Sequence, residues 1–389
     1  MDEVRNPFAP GAGTTPPELA GRADLLSAAD VALQRLLRGR SARGLILTGL
    51  RGTGKTVLLN ALERRASELN YETAFIEAPE GTSLQAMLYP KIGQALRRFS
   101  TVEQARTVAH QAMKTLRSFA SVFNLEAGGV TLSVDPEPGS ADSGNLELDL
   151  TDVLLRLGEA AKAAGRGWAL CLDEIQYLQE PELAALIVAL HRTTQRDLPV
   201  ILFGAGLPQL AGISGDAKSY AERLFDFRGI GPLSPEESRT AIAEPIVDEG
   251  ETIEDDALEK ITVLTQGYAY FLQEWGYQCW NIADVSPITA QDVDAATPRA
   301  LARLDDSFFR VRFDRLTPSE RDYVRAMATL GDGPYRSGDV ADVLGRTVGS
   351  LAPTRSSVIK KGMIYSPAHG DVDFTVPMFA QYLKRSALT

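Results

Sequence analysis

The feature that most constrains this chain is a glycine-rich loop between an apolar run and a helical stretch. The run Gly44-Leu45-Ile46-Leu47-Thr48 has the composition of a buried strand, and residues 57–69 have helical periodicity. Between them lies Gly49-Leu50-Arg51-Gly52-Thr53-Gly54-Lys55-Thr56, which fits the pattern glycine, four residues, Gly-Lys-Thr. Glycines let successive amides point at one anion, and the following helix start adds its positive dipole end. The spacing therefore predicts a phosphate-binding loop in a strand–loop–helix unit.

Nucleotide binding is the chemistry that this loop predicts. Lys55 can reach the β- and γ-phosphates, and the hydroxyl of Thr56 can hold Mg2+. We therefore expect ATP and Mg2+ as ligands. The residues expected to contact the nucleotide are Gly49, Arg51, Gly52, Thr53, Gly54, Lys55, Thr56 and Val57.

A second apolar run ends in two carboxylates, Trp168-Ala169-Leu170-Cys171-Leu172-Asp173-Glu174. In an open parallel sheet, ligands bind at the carboxyl ends of the strands, where this pair is expected to lie. Asp173 is expected to hold Mg2+, directly or through water. Glu174 is placed to orient and deprotonate the attacking water, so the pair predicts an ATP hydrolase rather than a protein that only binds ATP.

Strand and helix patterns alternate along the first 231 residues. Strands are predicted at 44–48, 72–77, 168–172 and 199–203, with helical stretches before, between and after them. This alternation predicts an α/β fold, a parallel sheet flanked by helices. From 232 to about 315 only helical patterns occur, and a last unit begins at Leu316. The expected domains are therefore 1–231, 232–315 and 316–389.

Two segments of the first domain are not part of this alternation. Residues 1–17 are rich in proline and glycine and are expected to form a poorly ordered arm. Residues 124–152 contain seven acidic residues and no lysine or arginine. Within them, 130–134 and 146–150 alternate as the strands of a hairpin would. We interpret 124–152 as a solvated acidic insertion.

The loop, the Asp-Glu strand and the helical region after them resemble an AAA+ ATPase, and within that class the initiator-like, archaeal-type branch that includes origin-recognition ATPases. Leu172-Asp173-Glu174-Ile175-Gln176 is the Asp-Glu-Ile-Gln form common in this branch. Pro17-Glu18-Leu19-Ala20-Gly21-Arg22 resembles the segment whose backbone receives the adenine, which implies a contact at Leu19. Arg223 lies where family members carry the arginine that reaches a neighbouring subunit's γ-phosphate. The resemblance thus implies a homo-oligomer and a helical lid at 232–315.

The chain departs from this family pattern in two places. The strand at 200–203 ends in Gly204-Ala205-Gly206, where relatives often have a polar γ-phosphate sensor, and Gln195 is a weak substitute. The lid carries Gln266-Gly267-Tyr268-Ala269-Tyr270, without the arginine that relatives place there. Weak sensing suits slow hydrolysis and a switch better than a fast motor. For the trans-acting arginine, Arg228 is the alternative to Arg223, and an ordinary surface ion pair is the alternative role.

Residues 316–389 resemble a winged helix-turn-helix. A capped helix at 318–330, a short helix at 338–344, a helix from Pro353 to Lys361 and a hairpin follow one another. The chain has a net charge of −11, but residues 335–389 carry seven basic and four acidic residues, a local charge of +3. Double-stranded DNA is therefore a candidate partner, through Arg355, Lys360 and Lys361, with His369 at the tip of the wing.

Two functions follow from these features. The first is a cytoplasmic ATPase that hydrolyses ATP slowly and assembles with nucleotide, acting as a switch on double-stranded DNA. The second is a signalling ATPase of the STAND kind, whose winged helix binds protein. The longest apolar runs fall short of the ~18 residues of a membrane span, and the amino terminus lacks the order of a signal peptide. Cys171 and Cys279 are expected to be buried thiols in a reducing compartment.

Overall fold

The computed structural model describes residues 1–11, 19–79, 81–125, 134–208, 210 and 221–386. The chain forms two compact units. The first contains residues 21–49 and 55–230, and the second contains residues 1–20, 50–54 and 231–389.

The first unit is built on a parallel sheet, as the alternation of strands and helices predicts. The order across the sheet is β2-β3-β4-β1-β5, and all four strand pairings are parallel. The last strand was not predicted, because it lies at the edge and its sequence Phe-Asp-Phe-Arg-Gly is only partly buried. The strands are β1 (Gly44–Thr48), β2 (Tyr71–Glu77), β3 (Gly167–Asp173), β4 (Val200–Gly206) and β5 (Phe225–Gly229).

Helices cover both faces of this sheet. Alternate strand residues point to opposite faces, so Ile46 joins one apolar cluster while Leu45 and Leu47 join another. The first cluster is completed by α3 to α6 and the second by α1 and α2. In the described part of this unit the helices are α1 (Ala23–Leu37), α2 (Lys55–Glu68), α3 (Leu84–Phe99), α4 (Arg106–Val122), α5 (Leu146–Ala163), α6 (Glu180–Gln195) and α7 (Ala221–Leu224).

The hairpin predicted within 124–152 is wrong. Residues 146–150 form the first turns of α5, because the side chain of Asn145 accepts hydrogen bonds from the amides of Glu147 (3.0 Å) and Leu148 (3.2 Å) and caps the helix. Residues 130–133 lie outside the described residues. The segment is also not simply solvated, since Ala141 is buried and Glu137 accepts a hydrogen bond from Thr115 on α4.

In the second unit, residues 232–315 are predominantly helical, as predicted. The aromatic residues of this region form its core: Tyr268, Phe271, Trp275 and Phe309 are all at most 1% exposed. A π-helical turn at Asp305–Phe309 leads into the last helix. The helices of this described region are α8 (Pro235–Asp248), α9 (Asp255–Thr265), α10 (Ala269–Ile282), α11 (Ala290–Leu304) and α12 (Arg310–Asp314).

Residues 1–11 are not the poorly ordered arm that their composition suggests. Phe8 is only 2% exposed and lies so close to α10 that a Cβ at Gly276 would come within 2.7 Å of its ring. The side-chain amide of Asn6 donates to Asn281 Oδ1 (2.7 Å), and the indole of Trp280 donates to the carbonyl of Asp2 (2.8 Å). Phe8 therefore belongs to the core of the second unit, and the residues before it are hydrogen-bonded to α10. Residues 12–17 of the same prediction lie outside the described residues.

The last part of the chain combines helices with a small antiparallel sheet of order β6-β8-β7. The helix predicted to begin at Pro353 begins five residues earlier, because the hydroxyl of Thr347 accepts from the amide of Ser350 (3.3 Å) and caps it. No helix in the described ranges has the length and apolar character needed to cross a membrane. The elements are α13 (Pro318–Thr329), β6 (Tyr335–Arg336), α14 (Ser337–Val343), α15 (Val348–Lys360), β7 (Ile364–Tyr365), β8 (Asp371–Phe374) and α16 (Phe379–Ser386).

Candidate functional site

The phosphate loop leaves the carboxyl end of β1 and enters α2. Its first residue is anchored to the sheet, since the amide of Gly49 donates to the carbonyl of Gly206 at the end of β4 (3.1 Å). Lys55 is the first residue of α2 and is buried, with its ammonium donating to the carbonyl of Gly49 (3.0 Å). The lysine charge is thus held over the mouth of the loop, where a phosphate group would be bound.

Glycine is required at the turn of the loop. Gly52 (φ +81°) and Gly54 (φ +91°) adopt left-handed backbone conformations that disfavour other residues. A Cβ at Gly52 would also lie 2.8 Å from Cε1 of Tyr268, while the carbonyl of Gly52 accepts from the amide of Tyr270 (3.3 Å). Residues 50–54 therefore pack against the start of α10, which the loop motif alone does not predict.

Asp173 and Thr56 meet at the carboxyl end of β3, as the Mg2+ prediction requires. The hydroxyl of Thr56 donates to Asp173 Oδ2 (2.5 Å), and the amide of Glu174 donates to Asp173 Oδ1 (2.8 Å). Burial raises the pKa of Asp173, the charge of Glu174 raises it further, and these hydrogen bonds together with the charge of Lys55 oppose the rise. A buried carboxylate beside a hydroxyl is a hard oxygen donor set, which is the set that Mg2+ prefers. The residues present thus fit this ion.

Glu174 follows Asp173 in an unusual backbone conformation. Its φ of +54° is left-handed, and it directly precedes a short 3-10 turn at Ile175–Tyr177. Its carboxylate accepts a hydrogen bond from the side-chain amide of Gln176. Sequence reasoning did not single out Gln176, although the Asp-Glu-Ile-Gln run contained it.

The glycines at the end of β4 pack closely against the side chains of the turn that follows β3. A Cβ at Gly204 would lie 2.4 Å from Ile175 Cδ1, and one at Gly206 would lie 2.8 Å from Gln176 Oε1. The proposed substitute Gln195 does not fit the sensor role. It is the last residue of α6, which runs from the carboxyl end of β3 back toward the amino end of β4, so it lies at the opposite edge of the sheet.

The candidate trans-acting arginines differ in their surroundings. Arg223 is exposed on α7, and no ion pair involving it is found among the described residues. Arg228 is paired with Asp226 (2.8 Å). This contrast favours Arg223, although its role stays a prediction. Leu19 is half-buried, and the neighbouring Pro17 and Glu18 lie outside the described residues, so the adenine contact also stays a prediction.

The three basic residues expected to contact DNA are not equivalent. Lys361 donates to Glu320 Oε2 (2.7 Å) and to the carbonyl of Arg315 (3.0 Å). Arg355 donates to Ser366 Oγ (3.1 Å) and to the carbonyl of Asp371 (3.3 Å), so it binds the hairpin to α15. Lys360 is exposed. Two of the three side chains are therefore engaged within the domain.

Sequence reasoning missed one partly buried cation of the second unit, Arg312. The guanidinium of Arg312 lies 3.7 Å from the ring centroid of Phe308 and donates to the carbonyl of Phe308 (2.6 Å). Burial and the nearby charge of Arg51 lower the pKa of Arg312 to about 10. Arg312 lies in α12, the last helix before Leu316, and is close enough to Arg51 of the phosphate loop for the two charges to interact.

Two family models match parts of this chain. Residues 18–203 match the AAA ATPase domain, and residues 306–383 match a domain of unknown function (DUF8462). No curated protein sequence matches the chain.

Solved structures with similar folds include a Walker-type ATPase of Pyrococcus abyssi, with a TM-score of 0.60 and 16% identity over 95% of this chain and 97% of that chain. ORC1 of Aeropyrum pernix, solved in complex with DNA, has a TM-score of 0.47 and 17% identity over 96% and 94% of the two chains. A RuvB variant of Thermotoga maritima has a TM-score of 0.48 and 16% identity over 95% and 97%. The part of the chain that carries the loop and the Asp-Glu strand, residues 18–203, thus matches the AAA ATPase domain and has a P-loop fold.

Proposed function

We propose that this protein is an Mg2+-dependent ATPase that hydrolyses ATP slowly and uses the nucleotide state as a switch. The observation that carries the proposal is the meeting of Lys55, Thr56 and Asp173 at the carboxyl ends of β1 and β3, with Glu174 next in the chain. A buried lysine over the loop and a buried carboxylate bonded to the loop threonine are the groups that ATP and its metal need.

Each of these residues has one expected task. Lys55 binds the β- and γ-phosphates, and Thr56 and Asp173 hold Mg2+, which supplies charge neutralisation at the phosphate oxygens. Glu174 accepts the proton of the attacking water. Proton transfer to a positioned side chain contributes roughly 10²–10⁴-fold to a rate, which sets the expected loss when this carboxylate is replaced.

Glu174→Gln tests the hydrolytic part of the proposal. The amide cannot accept the proton, so turnover should fall by about 10²-fold or more while ATP binding is kept. Glu180→Gln is the matched control, because Glu180 is exposed at the start of α6 and its replacement should leave turnover unchanged. Steady-state phosphate release and a fluorescent-nucleotide titration measure the two quantities. Equal turnover in the parent and in Glu174→Gln would exclude Glu174 as the base.

Slow turnover and assembly rest on two further observations. The end of β4 carries no polar side chain of its own, because its last three residues are Gly204, Ala205 and Gly206. Arg223 is exposed on α7, where an arginine can reach a neighbouring copy. We infer a head-to-tail homo-oligomer in which Arg223 completes the site of the next subunit.

We interpret the carboxyl-terminal helices and small sheet as a winged helix-turn-helix that binds double-stranded DNA. Lys360 is the exposed basic residue of α15, the helix in the recognition position. Lys360→Ala should weaken duplex binding and lower the slope of log affinity against log salt by about 0.9. Lys384→Ala is the control, since Lys384 is an exposed lysine on α16. Equal salt slopes for the parent and Lys360→Ala would remove Lys360 from the DNA contact.

A second candidate is a STAND-like switch whose carboxyl-terminal domain binds protein. The observation favouring it is that Lys361 and Arg355 are used inside the domain, which leaves less positive charge for phosphates. The two candidates differ in one measurement. If the full chain shows no salt-dependent duplex binding with ATP or with ADP, the protein-binding switch replaces the DNA-binding one.

In either case the buried thiols of Cys171 and Cys279, whose pKa values are raised mainly by burial, support the cytoplasmic location.

A further inference from the structure

Gln176 connects the two strand ends that flank the hydrolytic site. Its amide nitrogen donates to Glu174 Oε2, and its Oε1 accepts from the amide of Leu207, one residue beyond β4 (3.1 Å). Because Oε1 is held by a backbone N–H, the side-chain NH2 group is obliged to face the carboxylate. The orientation of this amide is therefore fixed by the sheet itself.

The glycines at the end of β4 make room for this connection. A Cβ at Gly206 would lie 2.8 Å from Gln176 Oε1, and a Cβ at Gly204 would lie 2.4 Å from Ile175 Cδ1. A side chain at either position would therefore have to displace the side chain of Ile175 or of Gln176. The small residues at the end of β4 thus leave space for the side chain of Gln176. The polar group beside Glu174 therefore comes from the turn after β3 and not from β4.

A glutamate base needs such a partner. Glu174 has a left-handed backbone conformation and is only half-buried, so its own packing restricts the carboxylate less than a core position would. Proton abstraction requires the base within hydrogen-bond reach of the water in a narrow range of orientations. A hydrogen bond to one carboxylate oxygen restricts the orientation of the whole group.

We propose that Gln176 is the positioning residue of the hydrolytic site, orienting Glu174 through its amide and linking that orientation to the end of β4. This inference rests on the proposed ATPase activity. Gln176 acts through Glu174 and takes no part in binding the nucleotide. Its removal should therefore lower kcat and leave the affinity for ATP unchanged.

Two substitutions separate the two hydrogen bonds of Gln176. Gln176→Glu keeps the length of the side chain and an oxygen for the amide of Leu207, but it cannot donate to Glu174 and places a second negative charge beside it. Gln176→Met keeps the length without charge and loses both bonds. Residues that orient metal ligands contribute about 10- to 100-fold to activity, and we expect a residue that orients a base to contribute a similar factor, so kcat should fall by about 10- to 100-fold in both variants. The affinity for a fluorescent ATP analogue should stay within about twofold of the parent, since the lysine and metal residues are untouched.

Gln195→Glu is the matched control. Gln195 is also a glutamine, it accepts a hydrogen bond from Arg192 (3.0 Å), and it lies at the opposite edge of the sheet, so kcat should be unchanged. Thermal unfolding of all variants checks that the fold is kept. Unchanged or increased kcat in Gln176→Glu and Gln176→Met would overturn the inference, as would a loss of ATP affinity equal to the loss of kcat. These outcomes are distinct from failure of the proposed function, in which the parent protein itself would not hydrolyse ATP.

Discussion

Glu320 joins two helices of the carboxyl-terminal domain, α13 and α15. This side chain is 5% exposed, and its carboxylate accepts hydrogen bonds from Lys361 Nζ (2.7 Å), Ser357 Oγ (2.6 Å) and the amide of Thr317 (2.7 Å). The first two donors belong to the end of α15 and the third to the start of α13. Glu320→Gln removes the charge while keeping the size of the side chain.

The loss of stability expected for Glu320→Gln follows from the pKa of Glu320. Burial alone would raise the pKa of Glu320, but the hydrogen bonds from Lys361, Ser357 and Thr317 outweigh burial and lower it from 4.5 to about 2. At about 1.4 kcal/mol per pH unit, this difference corresponds to about 3 kcal/mol of stability, close to the cost of breaking a buried ion pair. Because the pKa is lowered in the folded state, this stability is present above about pH 4.5 and is lost as the pH falls toward about 2.

The assay has to report on this domain. All three tryptophans of the chain precede it, at positions 168, 275 and 280, so fluorescence would miss a local loss of stability. Amide hydrogen exchange of α13 and α15 in the full chain measures it directly. Glu320→Gln should lower the opening free energy of both helices by about 3 kcal/mol at neutral pH.

The control for this measurement is Glu237, which, like Glu320, accepts a hydrogen bond from the backbone amide that precedes its own helix. Glu237 of α8 accepts from the amide of Ser234 (2.8 Å) but has no lysine partner among the described residues, so Glu237→Gln should cost α8 about 1 kcal/mol or less. Protection of α13 and α15 equal to that of the parent protein would refute the reasoning. If only α13 lost protection, the proposed link between α13 and α15 through Glu320 would be refuted.

Three further predictions concern the nucleotide site. Lys55→Ala should abolish tight binding in a fluorescent-nucleotide titration, and parent-like affinity would remove the phosphate-loop assignment. Arg223→Ala should leave the affinity for ATP unchanged, lower turnover by about 10³-fold and abolish the dependence of turnover on protein concentration. Arg228→Ala should leave turnover unchanged. Equal turnover in the two variants would contradict a trans-acting Arg223. Gly52→Ala should weaken nucleotide binding at least about tenfold, since a left-handed backbone costs about 1–2 kcal/mol and the new Cβ meets Tyr268. Gly39→Ala is its control, because Gly39 has the same backbone conformation (φ +67°) with nothing within 4 Å, and equal nucleotide affinity in the two variants would contradict the role of the Tyr268 contact.

Much of the fold and site could be predicted because the responsible interactions are local. The glycines of the loop, the lysine and threonine after it, and the two carboxylates after β3 are each fixed by neighbours in the chain. Parallel strands then bring their carboxyl ends to one edge, so Thr56 and Asp173, separated by 117 positions, were expected to meet and do so. The sheet and the helical region after it follow from periodicity in the same way.

Other features depended on contacts between distant residues, which periodicity does not report. Residues 146–150 alternate like a strand, yet the cap at Asn145 and the packing of Leu150 and Leu154 against other helices make them a helix. Phe8 is buried by α10, more than 260 residues away in sequence, although its neighbours have the composition of a flexible arm.

The expected nucleotide chemistry could be read from local sequence, because a few adjacent residues set the backbone geometry of a phosphate loop and of an acidic strand end. The side chains that support this site could not be read in that way, because they come together only on folding. Gln176 meets Glu174 and Leu207 only once β3 and β4 are paired, and Lys361 meets the buried Glu320 only once α13 and α15 are packed. The physical reason is that burial and desolvation, which give these hydrogen bonds their strength, exist only in the folded chain.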